Sequence, residues 1–180
     1  MIGNTGANST AANDKGFVRF GYYPHNVHFI VTSAQMAGDM RTAIREARRL
    51  RTVLDPETSE RIAWIQSIDA APYMAMAQFA DGKAILAMPE PDARLAYPTA
   101  MRHYARSIAY ARLRDQTGFD KEMAAMVRLR GSDALKGMID QGVPAADLVM
   151  LAELVARGRF ASARGRYDEA IAAYLRDLTA

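Results

Sequence analysis

From Met40 to Leu54 the apolar residues Met40, Ala43, Ile44, Ala47, Leu50 and Leu54 recur at three- and four-residue steps, with Arg41, Arg45, Arg48, Arg49 and Arg51 between them. This spacing predicts a helix with one apolar stripe and a charged outer side. Pro24, whose missing N–H costs nothing in a first turn, opens an earlier helix that runs to Ala37. There Val27, Ile30, Val31 and Ala34 form the stripe, while Phe29 and Met36 lie off it and demand cover on a second side. Gly38 ends this helix, Asp39 caps the next and Pro56 stops it, which is the punctuation of an antiparallel pair.

Thr58 to Ile68 predicts a further amphipathic helix, after which Pro72, Gly82, Pro89 and Pro91 divide short apolar pieces such as Tyr73 to Phe79 and Lys83 to Met88. Pro98 begins a long helix through Arg114, with Phe119 to Arg130 as its partner. Asp133 to Asp140 forms a short helix ended by Gly142 and Pro144, and Ala145 to Arg164 with Arg166 to Leu178 makes a last pair. In the last helix Tyr167, Ala170, Ile171, Tyr174, Leu175 and Leu178 make one stripe opposed by Asp168, Glu169, Arg176 and Asp177, a polar outer side on which a stack of helices can end. No segment alternates with β-branched enrichment, so the fold class is all-α.

The final pair, with Gly158, Gly165, Ala170 and Tyr174, resembles a tetratricopeptide (TPR) repeat, in which small residues of one helix meet alanine or aromatics of the next. Placing Gly38 like Gly165 at the turn puts Ala43 and Ala47 at matching positions. Arg114 and Phe119 stand where glycine and alanine are expected in the pair from Pro98 to Arg130. Tyr22-Tyr23-Pro24-His25-Asn26-Val27-His28-Phe29 and His103-Tyr104-Ala105-Arg106 resemble the C-terminal part of longer bacterial TPR proteins, over about residues 17 to 180. Arg114 follows Gly38 by 76 residues and Gly165 follows Arg114 by 51, neither a multiple of the repeat period of about 34. The resemblance therefore implies a degenerate TPR-like stack of antiparallel helix pairs, a right-handed α-solenoid, whose concave face binds a protein or peptide partner without catalysis or a cofactor.

In that register His25, His28, Thr32 and Gln35 share the concave side of the first helix, and Tyr104 and Arg112 continue it, so these six form the expected partner-binding strip. A different reading is a metal- or small-molecule-dependent enzyme centred on His25, His28 and His103, in which His25 and His28, three apart on a helix, hold a divalent metal with His103 or a carboxylate completing the shell. A third leaves the chain a self-associating structural domain, a homodimer through its N-terminal edge. In any of these readings Phe17 to Tyr23 is expected to fold back as a partial lid on the first helix, any uncovered remainder being a self-association surface or the mark of missing upstream repeats. Spacing supplies no third metal ligand, and His103 beside Tyr104 and Arg106 reads equally as a satisfied interior histidine. No nucleophile with its base, phosphate loop or paired carboxylates occurs at a diagnostic spacing.

Composition narrows these options modestly. The chain has 180 residues, half of them hydrophobic, enough for one well-cored domain over 17–180 behind a flexible leader over 1–16. It contains no cysteine, so disulfides and thiolate metal sites are excluded. No apolar run suits a signal peptide or a membrane span, from which a soluble cytoplasmic protein with no membrane partner is expected. The arginine run from Arg45 to Arg51 carries no aromatic ladder and is interrupted by Glu46, so it reads as a solvated helix side and no nucleic-acid partner is expected. The eleven methionines read as gap-fillers of an alanine-rich core, with Met74, Met76 and Met88 near the irregular middle leaving a groove open.

Overall fold

In the computed structural model, residues 22–176 are described, and every regular element among them is helical. The leader, the strip from Phe17 to Gly21, and Asp177 and Leu178 of the last stripe lie outside the described residues. Helix α1 (Tyr23–Ala37) starts with Pro24 in its first turn and stops at Gly38, whose φ of 72° is the left-handed conformation glycine adopts without a Cβ clash. Helix α2 (Met40–Val53) is capped by the Asp39 carboxylate, which accepts from the Thr42 N–H at 3.0 Å. Helix α3 (Pro56–Arg61), a single 3₁₀ turn (Ala63–Ile65) and α4 (Gln66–Phe79) follow.

The helix expected from Thr58 to Ile68 is thus broken at Ile62, and Pro72 sits inside α4 instead of dividing it. Pro72 costs α4 one backbone hydrogen bond. The helix continues because α4 is buried on two sides, with Ile68, Ala71 and Ala75 in a small cluster with Val27, Val31, Ala47 and Leu50, and Ala70, Tyr73, Met76 and Ala77 in the main core. Burial of this extent outweighs one missing bond.

The remainder comprises α5 (Gly82–Leu86), α6 (Ala96–Leu113), α7 (Gln116–Arg130), a 3₁₀ turn (Asp133–Leu135), α8 (Lys136–Asp140), α9 (Ala145–Ala163) and α10 (Tyr167–Leu175). None is long and apolar enough to cross a membrane. The packing follows chain order: α1 lies on α2 and α4, α2 on α4, α4 and α5 on α6, α6 on α7 and α9, α7 on α9, and α9 on α10. Asp81 caps α5 as Asp39 caps α2, and Asp115 caps α7 the same way. Two pairs close on a glycine against a tyrosine ring, Gly118 of α7 beneath Tyr110 of α6, and Gly158 of α9 beneath Tyr174 of α10. The joint from α7 to α9 is a stacked Phe119–Phe160 pair with ring centroids 4.1 Å apart.

The cover expected for Phe29 and Met36 from the strip Phe17 to Tyr23 falls mostly outside the described residues, among which the two side chains are exposed. At the other end, of the α10 stripe only Ala170 is buried, while Tyr167, Ile171, Tyr174 and Leu175 are exposed. The reason is geometric: α9 is the only described helix packed extensively on α10, and one neighbour covers only part of so wide an apolar arc. Glu46 is likewise not on the solvent side but buried, holding Arg45 at 2.8 Å and Arg49 at 3.1 Å.

Candidate binding groove

A groove of about 520 Å³ runs across four helices. Its walls come from Gln35 of α1, from Met74, Ala77 and Gln78 of α4, from Tyr104, Ile108, Ala111 and Arg112 of α6, and from Arg159, Ser162 and Ala163 of α9. Most of these lie in the last turns of their helices, so the groove follows the C-terminal ends of α1, α4, α6 and α9.

Its geometry is fixed by side chains that tie one helix to the next. Gln35 and Gln78 clasp α1 to α4: the Gln35 amide donates to Gln78 Oε1 at 2.9 Å, and the Gln78 amide donates to the Gln35 carbonyl at 3.3 Å. Arg112 reaches from α6 to the end of α4, donating to the carbonyls of Ala77 at 2.6 Å, Gln78 at 3.3 Å and Ala80. Those carbonyls belong to a helix C-terminus and are partly negative, so a guanidinium is a favourable cap. Burial, and next the positive charge of Arg159, lower the pKa of Arg112. Arg159 itself makes no ion pair among the described residues. The Tyr104 hydroxyl also lacks a hydrogen-bond partner there, and burial raises its pKa, which keeps it a donor at neutral pH.

This arrangement can hydrogen-bond an extended chain through Tyr104, Arg159 and Ser162 and accept apolar side chains against Met74 and Ile108. Its lining holds no carboxylate and no histidine, so Ser162 has no base beside it. Of the six residues expected to contact a partner, the structure brings Gln35, Tyr104 and Arg112 together on this groove. His25, His28 and Thr32 are not on it. His25 and His28 occupy the N-terminal half of α1 and Thr32 lies one turn short of Gln35, whereas the groove takes in only the C-terminal turn of that helix. His25 packs edge-on against Phe29, with centroids 4.7 Å apart, and Thr32 donates to the His28 carbonyl at 3.1 Å. His28 is half-buried, and burial together with its neighbour His25 lowers its pKa.

The metal reading loses its third ligand as well. His103 is held between α6 and α7, its Nδ1 2.6 Å from Glu122 Oε2, while Arg106 donates to the other carboxylate oxygen at 2.7 Å. No group of three His, Asp or Glu side chains gathers as metal ligands among the described residues. Burial alone would raise the Glu122 pKa, but hydrogen bonds from His103 and Arg106 outweigh it and hold the carboxyl below its ordinary range. The arginine run is similarly engaged: Arg49 donates to the Tyr23 hydroxyl, and Arg51 donates to the Tyr73 hydroxyl at 2.9 Å.

Ser59 Oγ of α3 and Asp69 Oδ2 of α4 are buried with no partner within hydrogen-bond distance, although the Ser59 hydroxyl lies near enough to Asp69 to lower its pKa, and burial lifts the Asp69 carboxyl to about 6. Arg102 Nε of α6 is likewise buried and unpaired, its guanidinium meeting Glu90 through Nη2 at 3.1 Å. No family model, curated protein or solved structure matches this chain.

Proposed function

We propose that this chain is a non-catalytic interaction scaffold, a degenerate TPR-like stack of helix pairs that seats an extended segment of a partner protein in the groove along α1, α4, α6 and α9. The observation that carries the reading is the composition of that groove, to which the first helix of each successive pair contributes its last turn. A continuous surface built from equivalent parts of consecutive pairs suits a linear ligand better than a compact one.

The repeat reading is supported by the turn at Ala80 and Asp81, which interrupts the long interval between Gly38 and Arg114. Arg114 follows Ala80 by 34 residues, one repeat period. In this reading α5 is the shortened second helix of the pair begun by α4. The segments around α3 and α8 are insertions that carry the other intervals off the period.

The test is selection of displayed random peptides on the immobilised chain, with Ser162→Trp as the counter-target. Ser162 is exposed on the groove wall, so an indole there fills the seat without disturbing a buried contact. Peptides retained by the wild type should be lost on Ser162→Trp, weakened at least about tenfold, and kept by the double substitution His25→Ala, His28→Ala. Equal retention on Ser162→Trp would remove the groove as the binding site.

A further inference from the structure

Two features that stand out in the sequence, the arginine run of α2 and the methionines Met76 and Met88, have no part in the partner groove. They meet in a second groove, of about 540 Å³, between α2, α4 and the end of α5. Its floor is formed by the buried residues Ala47, Pro72 and Met76, and one wall by Ala84, Met88 and Pro89. The α2 side carries Arg48 and Arg51, three apart and so on one side of that helix. No carboxylate lines the groove. The site is braced from beneath by Tyr73, which is 2% exposed. Its hydroxyl donates to the Pro89 carbonyl at 3.1 Å, tying the wall to α4, and accepts from Arg51 Nη1 at 2.9 Å.

The charges of the run are not equally satisfied. Arg45 and Arg49 share the Glu46 carboxylate, whereas Arg48 has neither a hydrogen bond nor an ion pair among the described residues. Arg51 has no hydrogen bond beyond that to Tyr73, and Asp69, which feels its charge, lies outside the lining and forms no ion pair with it. The nitrogens left to Arg51, Nε and Nη2, form the guanidinium edge whose two parallel N–H bonds match the two oxygens of a carboxylate. An apolar trough of ligand size with a few convergent polar groups is the usual form of a small-molecule site. We propose that this groove binds a small carboxylate with an apolar tail, a medium-chain fatty-acid anion in chemical class, its head held by Arg48 and Arg51 and its tail laid along Met76 and Met88. Methionine, unbranched and polarisable, suits a flexible tail. The site shares no residue with the partner groove and takes a different ligand.

The experiment is an NMR titration of the full 180-residue chain, labelled at the methionine methyls, with octanoate, with n-octanol and with acetate. Octanol supplies the tail without the charge, and acetate the charge without the tail. The Met76 and Met88 signals should saturate with octanoate at a dissociation constant below about 1 mM, with octanol at least about tenfold weaker and acetate not saturating. Arg48→Gln, at an exposed position where both residues favour a helix, should weaken octanoate about tenfold and leave octanol unchanged. Ala87→Trp, exposed at the groove, should fill it and abolish both, and circular dichroism checks that each variant keeps its helicity. Octanol bound as tightly as octanoate, a comparison that needs no variant, would overturn the proposal by removing the arginines from it. Shifts confined to other methionines, or octanoate binding unchanged by either substitution, would overturn the site. Peptide capture at Ser162 depends on neither substitution, so the scaffold reading stands or falls separately.

Discussion

Two buried carboxyls respond to acid in opposite directions, and each direction follows from what surrounds the group. Asp69 has its ordinary pKa of 3.8 raised to about 6, first by burial and then by the nearby Asp55 charge, against the Ser59 hydroxyl and Arg51. Its folded value lies above its unfolded one, so ionised Asp69 destabilises the fold, and the penalty develops between pH 4 and 6 and is complete above 6. The shift corresponds to about 2–3 kcal/mol at neutral pH. Asp69→Asn should therefore stabilise the protein by an amount of that order at pH 7 and by little at pH 4, measured by urea unfolding at both. An equal effect at both pH values would place the gain in packing instead of charge. Glu122 runs the other way: its folded pKa is lowered, so its contribution is present above the unfolded value near 4.5 and is lost as pH falls through the folded value. Glu122→Gln should cost about 3 kcal/mol at pH 7, since it leaves the Arg106 charge without its carboxylate, and should flatten the loss of stability on the acid side.

Helices were legible where the chain punctuates itself. Pro24, Gly38 and Asp39 carry their signal locally, and α1, α2, α6, α7 and α9 lie close to where the apolar spacing puts them, although the Asp115 cap that starts α7 three residues before Phe119 went unread. Pro72 misled because the burial of α4 on two sides outweighs a local breaker, a balance no short window of sequence contains. The same error concealed Gln78, which reaches the groove only as the last turn of an unbroken α4. Arg159 escaped notice because an exposed arginine reads as a solvated helix side until the neighbouring helices are in place. The α10 helix differs from α2, α5 and α7 in having Arg166, with no side-chain cap, where they have aspartate. Arg166→Ser, three residues before Glu169, would supply a capping box. It should stabilise α10 by about 0.5–1 kcal/mol, less the small loss of the exposed Arg166–Glu169 pair, and slow amide exchange in its first turn; unchanged exchange would count against it. The two glycine–tyrosine contacts separate in the same spirit. Gly158→Ala pushes on the exposed Tyr174 ring, which can swing aside, and gains about 1 kcal/mol of helix propensity, so it should be close to neutral. Gly118→Ala pushes on the half-buried Tyr110 ring, held under the Arg106 guanidinium 5.7 Å from its centroid, and should destabilise by about 1–3 kcal/mol in thermal unfolding.

The order of packing also sets how stability is distributed. Helix α6 meets α4, α5, α7 and α9, and most of its residues from Ala96 to Ala111 are buried, whereas α10 has extensive contact with α9 alone. Where each helix packs mainly on its neighbours in the chain, the middle opens only with the whole molecule while an end opens by itself. Hydrogen exchange at low concentration should therefore find the slowest amides between Ala100 and Ala109, with α10 exchanging at least about a hundredfold faster, the ratio expected if local opening costs about 3 kcal/mol less than global unfolding. If protection in α10 instead matches that in α6, stability is shared across all the helices and the end does not open by itself.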